Sequence, residues 1–212
     1  MQDIVIYGAG GFGREVLQVL HAINAAAPTW ACRGFLVDPG YITGAPMHGL
    51  PVAGTLSALD CAPDTAIVVA IGNPAARQKV VSMLGTGPGR FPVLIHPRAW
   101  IGDHVTLGPG VIVCAGALVT TDILLGAHVH LNIASTVGHD CLIGDFCTIS
   151  PGVSISGRVT LGQRVEVGAS AVIIPGMQIG DDAVIGAGAA VVKSIPAGCT
   201  AVGVPARVIK GP

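Results

Sequence analysis

Charge is what this chain has least of. Only 11% of its 212 residues are Asp, Glu, Lys or Arg, and 11 basic residues face 12 acidic ones. A disordered polyampholyte is therefore excluded. No excess of one sign advertises a nucleic-acid or anionic-membrane partner, and neither is expected. Aromatic residues are also scarce, at 4%, which disfavours an ordinary helical bundle. Long apolar runs are missing too: Gly, Asp, His or Asn interrupts every stretch well short of the roughly 18 residues a membrane span needs. The opening MQDIVIYGAGG has no basic segment before its apolar residues, so it does not read as a signal peptide. The six cysteines lack C-x-x-C spacing, and no metal-ligand spacing appears elsewhere. Reduced thiols, a cytoplasmic location and no metal are expected.

What the chain does have is small aliphatics and 31 glycines, arranged with a strict period. Ile, Leu or Val recurs every six residues at Ile95, Ile101, Leu107, Val113 and onward to Ile185 and Val191. Four positions after each stands a second residue, mostly small or β-branched, such as Ala117, Val129, Cys141, Cys147, Val153 and Ile195. Gly often takes the second position, where a tight corner needs it. Three hexads make a triangular coil, and coils stack at strand spacing of about 4.8 Å. A repeat this long specifies a parallel β-helix from Ile95 to Pro196 with no insertion.

Residues 3–95 read differently. DIVIYG (3–8), GFLVD (34–38), AIVVAIG (66–72) and FPVLI (91–95) are strands, and REVLQVLHAINAA and PAARQKVVSML are helices. That alternation predicts a small parallel sheet flanked by helices, an α/β, Rossmann-like domain over 1–94 before a β-helix domain over 95–212. Gly8, Gly10 and Gly13 form G-x-G-x-x-G between a strand and a helix, where backbone amides suit a diphosphate. Asp38 ends the second strand, in place to accept from a ribose or base. Too little chain precedes the repeat for hydride chemistry, so a nucleotide diphosphate fits better than NAD. Alternatively, the glycines only permit a tight turn.

Within the solenoid, LNIASTVGHDCLIGD (131–145) departs from the bland pattern. His139 and Asp140 occupy both corner positions of one hexad and point outward. The coil period stacks His139 between Thr121 and Gly157, and the absent side chain at Gly157 leaves room for reactants. Histidine suits general-base work near neutral pH, with Asp140 or Asp145 to fix its tautomer. His104, His128 and His130 also fall on outward positions and read as solvent-facing or subunit-contact residues. Cys141 and Cys147 read as core, not nucleophiles.

The motifs IVIYGAGGFGREVLQVL, IGNPAARQKV, IHPRAWIG, NIASTVGHDCLIGD and GVPARVIK, in this order, resemble the sialic-acid O-acetyltransferase and bacillosamine N-acetyltransferase group, with the related perosamine N-acetyltransferases. The resemblance implies a left-handed β-helix and a homotrimer with active sites between subunits. It implies an acetyl-CoA-dependent N-acetyltransferase acting on a nucleotide-linked 4-amino-4,6-dideoxy sugar for surface-glycan biosynthesis. By that resemblance His139 is the base and Asp140 its partner. Gly10, Gly13, Asp38 and Asn132 bind the nucleotide sugar, while Gly157, Ala169, Ala187, Pro205 and Arg207 border acetyl-CoA. Thr148 stands where some amino-sugar members carry a second histidine. A sugar O-acetyltransferase and a non-catalytic nucleotide-sugar-binding trimer are the alternatives.

Overall fold

Ile4, Val5 and Ile6 are fully buried because they run through the centre of a parallel sheet covered on both faces. The computed structural model describes residues 1–42, 44–59, 61–62, 64–85 and 90–211. These form two compact units, Met1–Gly72 with Ala76–Pro97 and Asn73–Ala75 with Arg98–Pro212.

In the first unit, β1 (Gln2–Tyr7), β2 (Trp30–Leu36), β3 (Val52–Ala53) and β4 (Ala66–Val69) lie in the order β3-β2-β1-β4, all parallel. Helix α1 (Gly11–Ala26) buries Val16, Leu17, Val19 and Leu20 at helical spacing. Helix α2 (Pro74–Leu84) begins with proline in the first turn, where its missing N–H costs nothing. β3 leaves no mark in the sequence, having only two residues and no periodicity of its own. The expected second strand starts later than β2 does, since Trp30–Arg33 alternate too weakly to mark a strand.

The second unit is the left-handed parallel β-helix, with three faces of short strands. The first face stacks Ile112–Val113, His130–Leu131, Thr148–Ile149, Glu166–Val167 and Val184–Ile185. The second runs from Trp100–Ile101 to Ala190–Val191, and the third from Val105–Leu107 to Gln178–Ile179. Partners such as His130↔Thr148, Thr136↔Ser154 and Leu142↔Thr160 differ by one coil throughout. The aliphatic rows fill the interior: Val113, Leu131, Val137, Ile143, Ile149 and Val167 are wholly buried, as are Ala117, Val129, Cys141, Cys147, Val153 and Val165. Corners are turned by residues with positive φ, among them Asp122, Asp140, Arg158 and Arg164. Asp145 Oδ1 accepts from the Ala127 amide at 2.7 Å, and Asp181 Oδ1 from the Gln163 amide at 2.8 Å. These carboxylates satisfy amides on the neighbouring coil.

Two expectations change. The repeat does not run evenly to Pro196. Ile179 pairs with Ile195, and Val184 with Thr200, so the last coil is shorter by two residues. The Ser194 hydroxyl accepts from the Gln178 amide at 3.0 Å across the gap. Ile195 therefore takes the role of a leading aliphatic, not that of a fifth position. After it, Thr200–Val202 pairs antiparallel with Arg207–Lys210, which closes the chain. Secondly, His128 and His130 are not solvent-facing but buried, with His128 stacked on Phe146 at 5.2 Å between ring centroids. Outward positions of the first face are covered at this level, since Ile112 and Thr148 beside His130 are buried as well. Among the described residues no helix is long and apolar enough to cross a membrane.

Candidate active site

The corner between the second and third faces holds His139 and Asp140, the candidate catalytic pair. Asp140 adopts φ +59, a left-handed conformation that aspartate tolerates better than most side chains. The corner sets its carboxylate beside the preceding imidazole: His139 Nδ1 lies 2.7 Å from Asp140 Oδ2. That contact assigns the Nδ1 proton to the carboxylate and leaves the Nε2 lone pair free. Both side chains are more than half exposed, at 54% and 56%, so the pair is open to reactants and adds little to stability.

The coil above supplies the space. The Arg158 amide donates to the His139 carbonyl at 2.8 Å, which fixes Gly157 over the ring. A Cβ on Gly157 would sit 2.5 Å from Nε2 and 2.6 Å from Cε1. The missing side chain is thus a steric requirement of the imidazole's present position. Below, the Asp140 amide donates to the Thr121 carbonyl at 3.2 Å. Asp145 is not the histidine's partner, because its carboxylate caps Ala127 on the next corner. Cys141 is buried with its thiol donating to the Ser156 carbonyl at 3.1 Å, and burial pushes that thiol above its ordinary value. It is core.

The remaining candidates fall on separate corners. Asn132 lies between the first and second faces, nearly buried, with Nδ2 donating to the Ile149 carbonyl at 2.9 Å. One chain does not bring it to His139. Ala169 and Ala187 stack exposed on that same edge, where the Gly188 amide donates to the Ala169 carbonyl at 2.8 Å. Pro205 follows a cis peptide bond, and Arg207 opens the closing strand.

The first unit contributes a pocket of about 480 Å³ at the carboxyl ends of β1 and β2, lined by Tyr7, Gly8, Ala9, Gly10, Val37, Asp38, Tyr41, Met47, Val52 and Ile71. The three glycines differ in role. Gly8 has φ +112, and a Cβ there would lie 2.7 Å from the Ala70 carbonyl. A Cβ on Gly13 would overlap the Gly8 carbonyl, so Gly13 lets α1 pack on β1. Gly10 caps α1 with open space around it, so it is the one with room for a ligand. Tyr7 donates its hydroxyl to Asp38 Oδ1 at 2.5 Å. Burial, then the bond and charge of Asp38, push the Tyr7 hydroxyl up to about 12. The sequence reading singled out Asp38 but not Tyr7, whose only signal is its place directly before the glycine motif.

A hexapeptide solenoid with an outward histidine–aspartate pair, preceded by a small α/β unit with a glycine-rich pocket, defines an acyltransferase of the hexapeptide-repeat class. Comparison with known proteins narrows this. Residues 3–84 match the PglD N-terminal domain model, and residues 158–193 the hexapeptide repeat of succinyl-transferase. A GDP-perosamine N-acetyltransferase of Escherichia coli O157:H7 is 36% identical over 215 aligned positions, covering 97% of this chain and 95% of the relative. PerB from Caulobacter crescentus, solved with CoA and GDP-perosamine, superposes with a TM-score of 0.85 at 32% identity, covering 100% of this chain and 98% of that one. The acetyltransferase domain of PglB from Neisseria gonorrhoeae FA1090, solved with acetyl coenzyme A, gives 0.85 at 33% identity over 98% and 99% of the two chains. The chain belongs to the PglD-like family of sugar acetyltransferases.

Proposed function

We propose that the chain transfers the acetyl group of acetyl-CoA to the amino group of a nucleotide-linked amino-deoxy sugar. The observation that carries this is the open His139–Asp140 pair beneath Gly157, in a family that includes a GDP-perosamine N-acetyltransferase and a protein solved with CoA and GDP-perosamine. The sugar's amine attacks the thioester carbonyl carbon, and the carbon–nitrogen bond forms. His139 Nε2 takes the proton released from nitrogen, while Asp140 stabilises the imidazolium. The carbon–sulfur bond then breaks, and the imidazolium returns its proton to the departing CoA thiolate. Residues 1–94 serve as the nucleotide-sugar domain, with Gly10 and Asp38 at its pocket, and 95–212 as the acyltransferase domain. Gly157, Ala169, Ala187, Pro205 and Arg207 border acetyl-CoA.

The working form is a homotrimer in the cytoplasm with sites between subunits. Leu124 and Leu142, 47% and 52% exposed on adjacent coils of the third face, support an apolar contact there. Asn132 and the alanine edge then reach the histidine of a neighbouring copy.

The test is CoA release with UDP-, GDP- and dTDP-linked amino sugars, alongside their hydroxyl counterparts. An N-acetylated product from one amino sugar is expected. Turnover of hydroxyl sugars alone would point to O-acetylation, and binding without any turnover to a sensor.

A further inference from the structure

The carboxyl ends of β1 and β2 are joined by one side-chain hydrogen bond, from the Tyr7 hydroxyl to Asp38 Oδ1. Both residues line the first-unit pocket, whose other walls are backbone at Gly8–Gly10 and apolar side chains, including Val37, Met47, Val52 and Ile71. Among the described residues the lining holds one carboxylate and no cation. A neutral base between apolar walls, or a ribose hydroxyl facing a carboxylate, is well matched here, with the phosphates left to the backbone at the start of α1. In the strand order β3-β2-β1-β4 the chain departs from β1 in opposite directions, and the crevice beyond the carboxyl ends at such a switch is where open α/β sheets take ligands.

Asp38 needs help to act there. Its backbone is fixed, since its carbonyl accepts from the Tyr41 amide at 2.8 Å. Its side chain makes no capping bond to the short helical turn that follows. Among the described residues Tyr7 is its hydrogen-bond partner. Tyr7, in contrast, is held on both sides, paired with Leu36 of β2 and Val69 of β4.

We propose that Tyr7 is a positioning residue: it holds the Asp38 carboxylate so that the second oxygen meets one hydrogen-bond donor of the nucleoside, a ribose hydroxyl or a base N–H. This rests on the pocket being the nucleotide site described above. One oxygen is committed to a rigid strand, and the other faces the ligand in a fixed direction, so less ordering is left to binding. Burial and Asp38 push the hydroxyl up to about 12, so it keeps its proton and remains a donor near neutral pH.

The test measures binding of UDP, GDP and dTDP, with their 2′-deoxy forms for the first two, to the wild type, Tyr7→Phe, Asp38→Asn and the double variant. Kinetics with the amino-sugar substrate accompany it. Asp38→Asn removes a charge-assisted bond and weakens nucleotide binding roughly 10–100-fold. Tyr7→Phe removes one oxygen and weakens it roughly 3–10-fold, raising KM for the nucleotide sugar but not for acetyl-CoA. The double variant binds no more weakly than Asp38→Asn alone. A 2′-deoxy penalty that disappears in Asp38→Asn makes the donor the 2′-hydroxyl; an unchanged penalty makes it the 3′-hydroxyl or the base. Wild-type binding by Tyr7→Phe, or a further loss in the double variant, overturns the role of Tyr7 while the pocket stands. Wild-type binding by Asp38→Asn refutes the nucleotide site itself.

Discussion

Replacing Gly157 by alanine isolates the one steric condition on the candidate base. The new methyl carbon would lie 2.5 Å from His139 Nε2, 2.6 Å from Cε1 and 3.0 Å from Cδ2. Ordinary contact begins at 3.4 Å, so the ring must retreat by about 0.9 Å. Gly157 has no positive φ, and the three nearest atoms all belong to a side chain that is more than half exposed. The imidazole can swing outward, but only by leaving the Asp140 carboxylate at 2.7 Å. A displacement near 1 Å at a reacting group costs about 100-fold in rate, or about 2.7 kcal/mol of barrier. The melting temperature should stay within about two degrees of the wild type, because no buried group is lost. CoA release under saturating acetyl-CoA measures the first quantity, and circular dichroism the second. In a His139→Ala background, Gly157→Ala should have no further effect on rate. Wild-type turnover by Gly157→Ala, or an equal fractional loss in both backgrounds, would refute the placement of the base.

His139→Ala should lower kcat by roughly 10²–10⁴-fold with an unchanged circular dichroism spectrum, and Asp140→Asn by a smaller factor, since it removes only the stabilising charge. Tyr7 should be visible spectroscopically. The chain has two tyrosines, so in Tyr41→Phe the tyrosinate absorbance should rise with a midpoint near 12 instead of the ordinary 10.0. The fold favours the neutral hydroxyl, so the linked stability is complete below pH 10 and is lost as pH climbs toward 12. Leu131→Ala, which empties a fully buried position in the stacked aliphatic rows, should cost about 2–5 kcal/mol in denaturant unfolding.

The solenoid was legible because every interior position obeys one rule. The period alone places Gly157 over His139, since neighbours one coil apart follow from counting. Counting failed where the rule was local. At Val192–Ser194 the turn drops two residues while the letters still look like a hexad, because Ile195 is aliphatic under either register. It also failed on the first face: outward at His130 means away from this interior, not toward water. In the α/β unit the strands with apolar centres were readable, but β3 was not. Asp38 was found because a strand end is a recognisable place for a carboxylate. Tyr7 was not, because its meaning depends on a partner 31 positions away.

The shortened last coil bears on self-association. An open β-helix ends in unpaired strand edges, each a template for a second chain. Three faces in common phase would accept a whole coil from another copy, and one docking event would leave the same template for the next. The two residues are lost in the turn at Val192–Ser194, and Ile195 still stacks on Ile179 and Thr200 on Val184. The first face is then closed by an antiparallel strand carrying Arg207 and Lys210. The second is met by the same tail, the Ala190 amide donating to the Gly203 carbonyl at 3.0 Å and the Ala206 amide to the Ala190 carbonyl at 2.8 Å. With those backbone groups already paired, the end of the solenoid offers a second copy less to template on, which opposes growth along its axis.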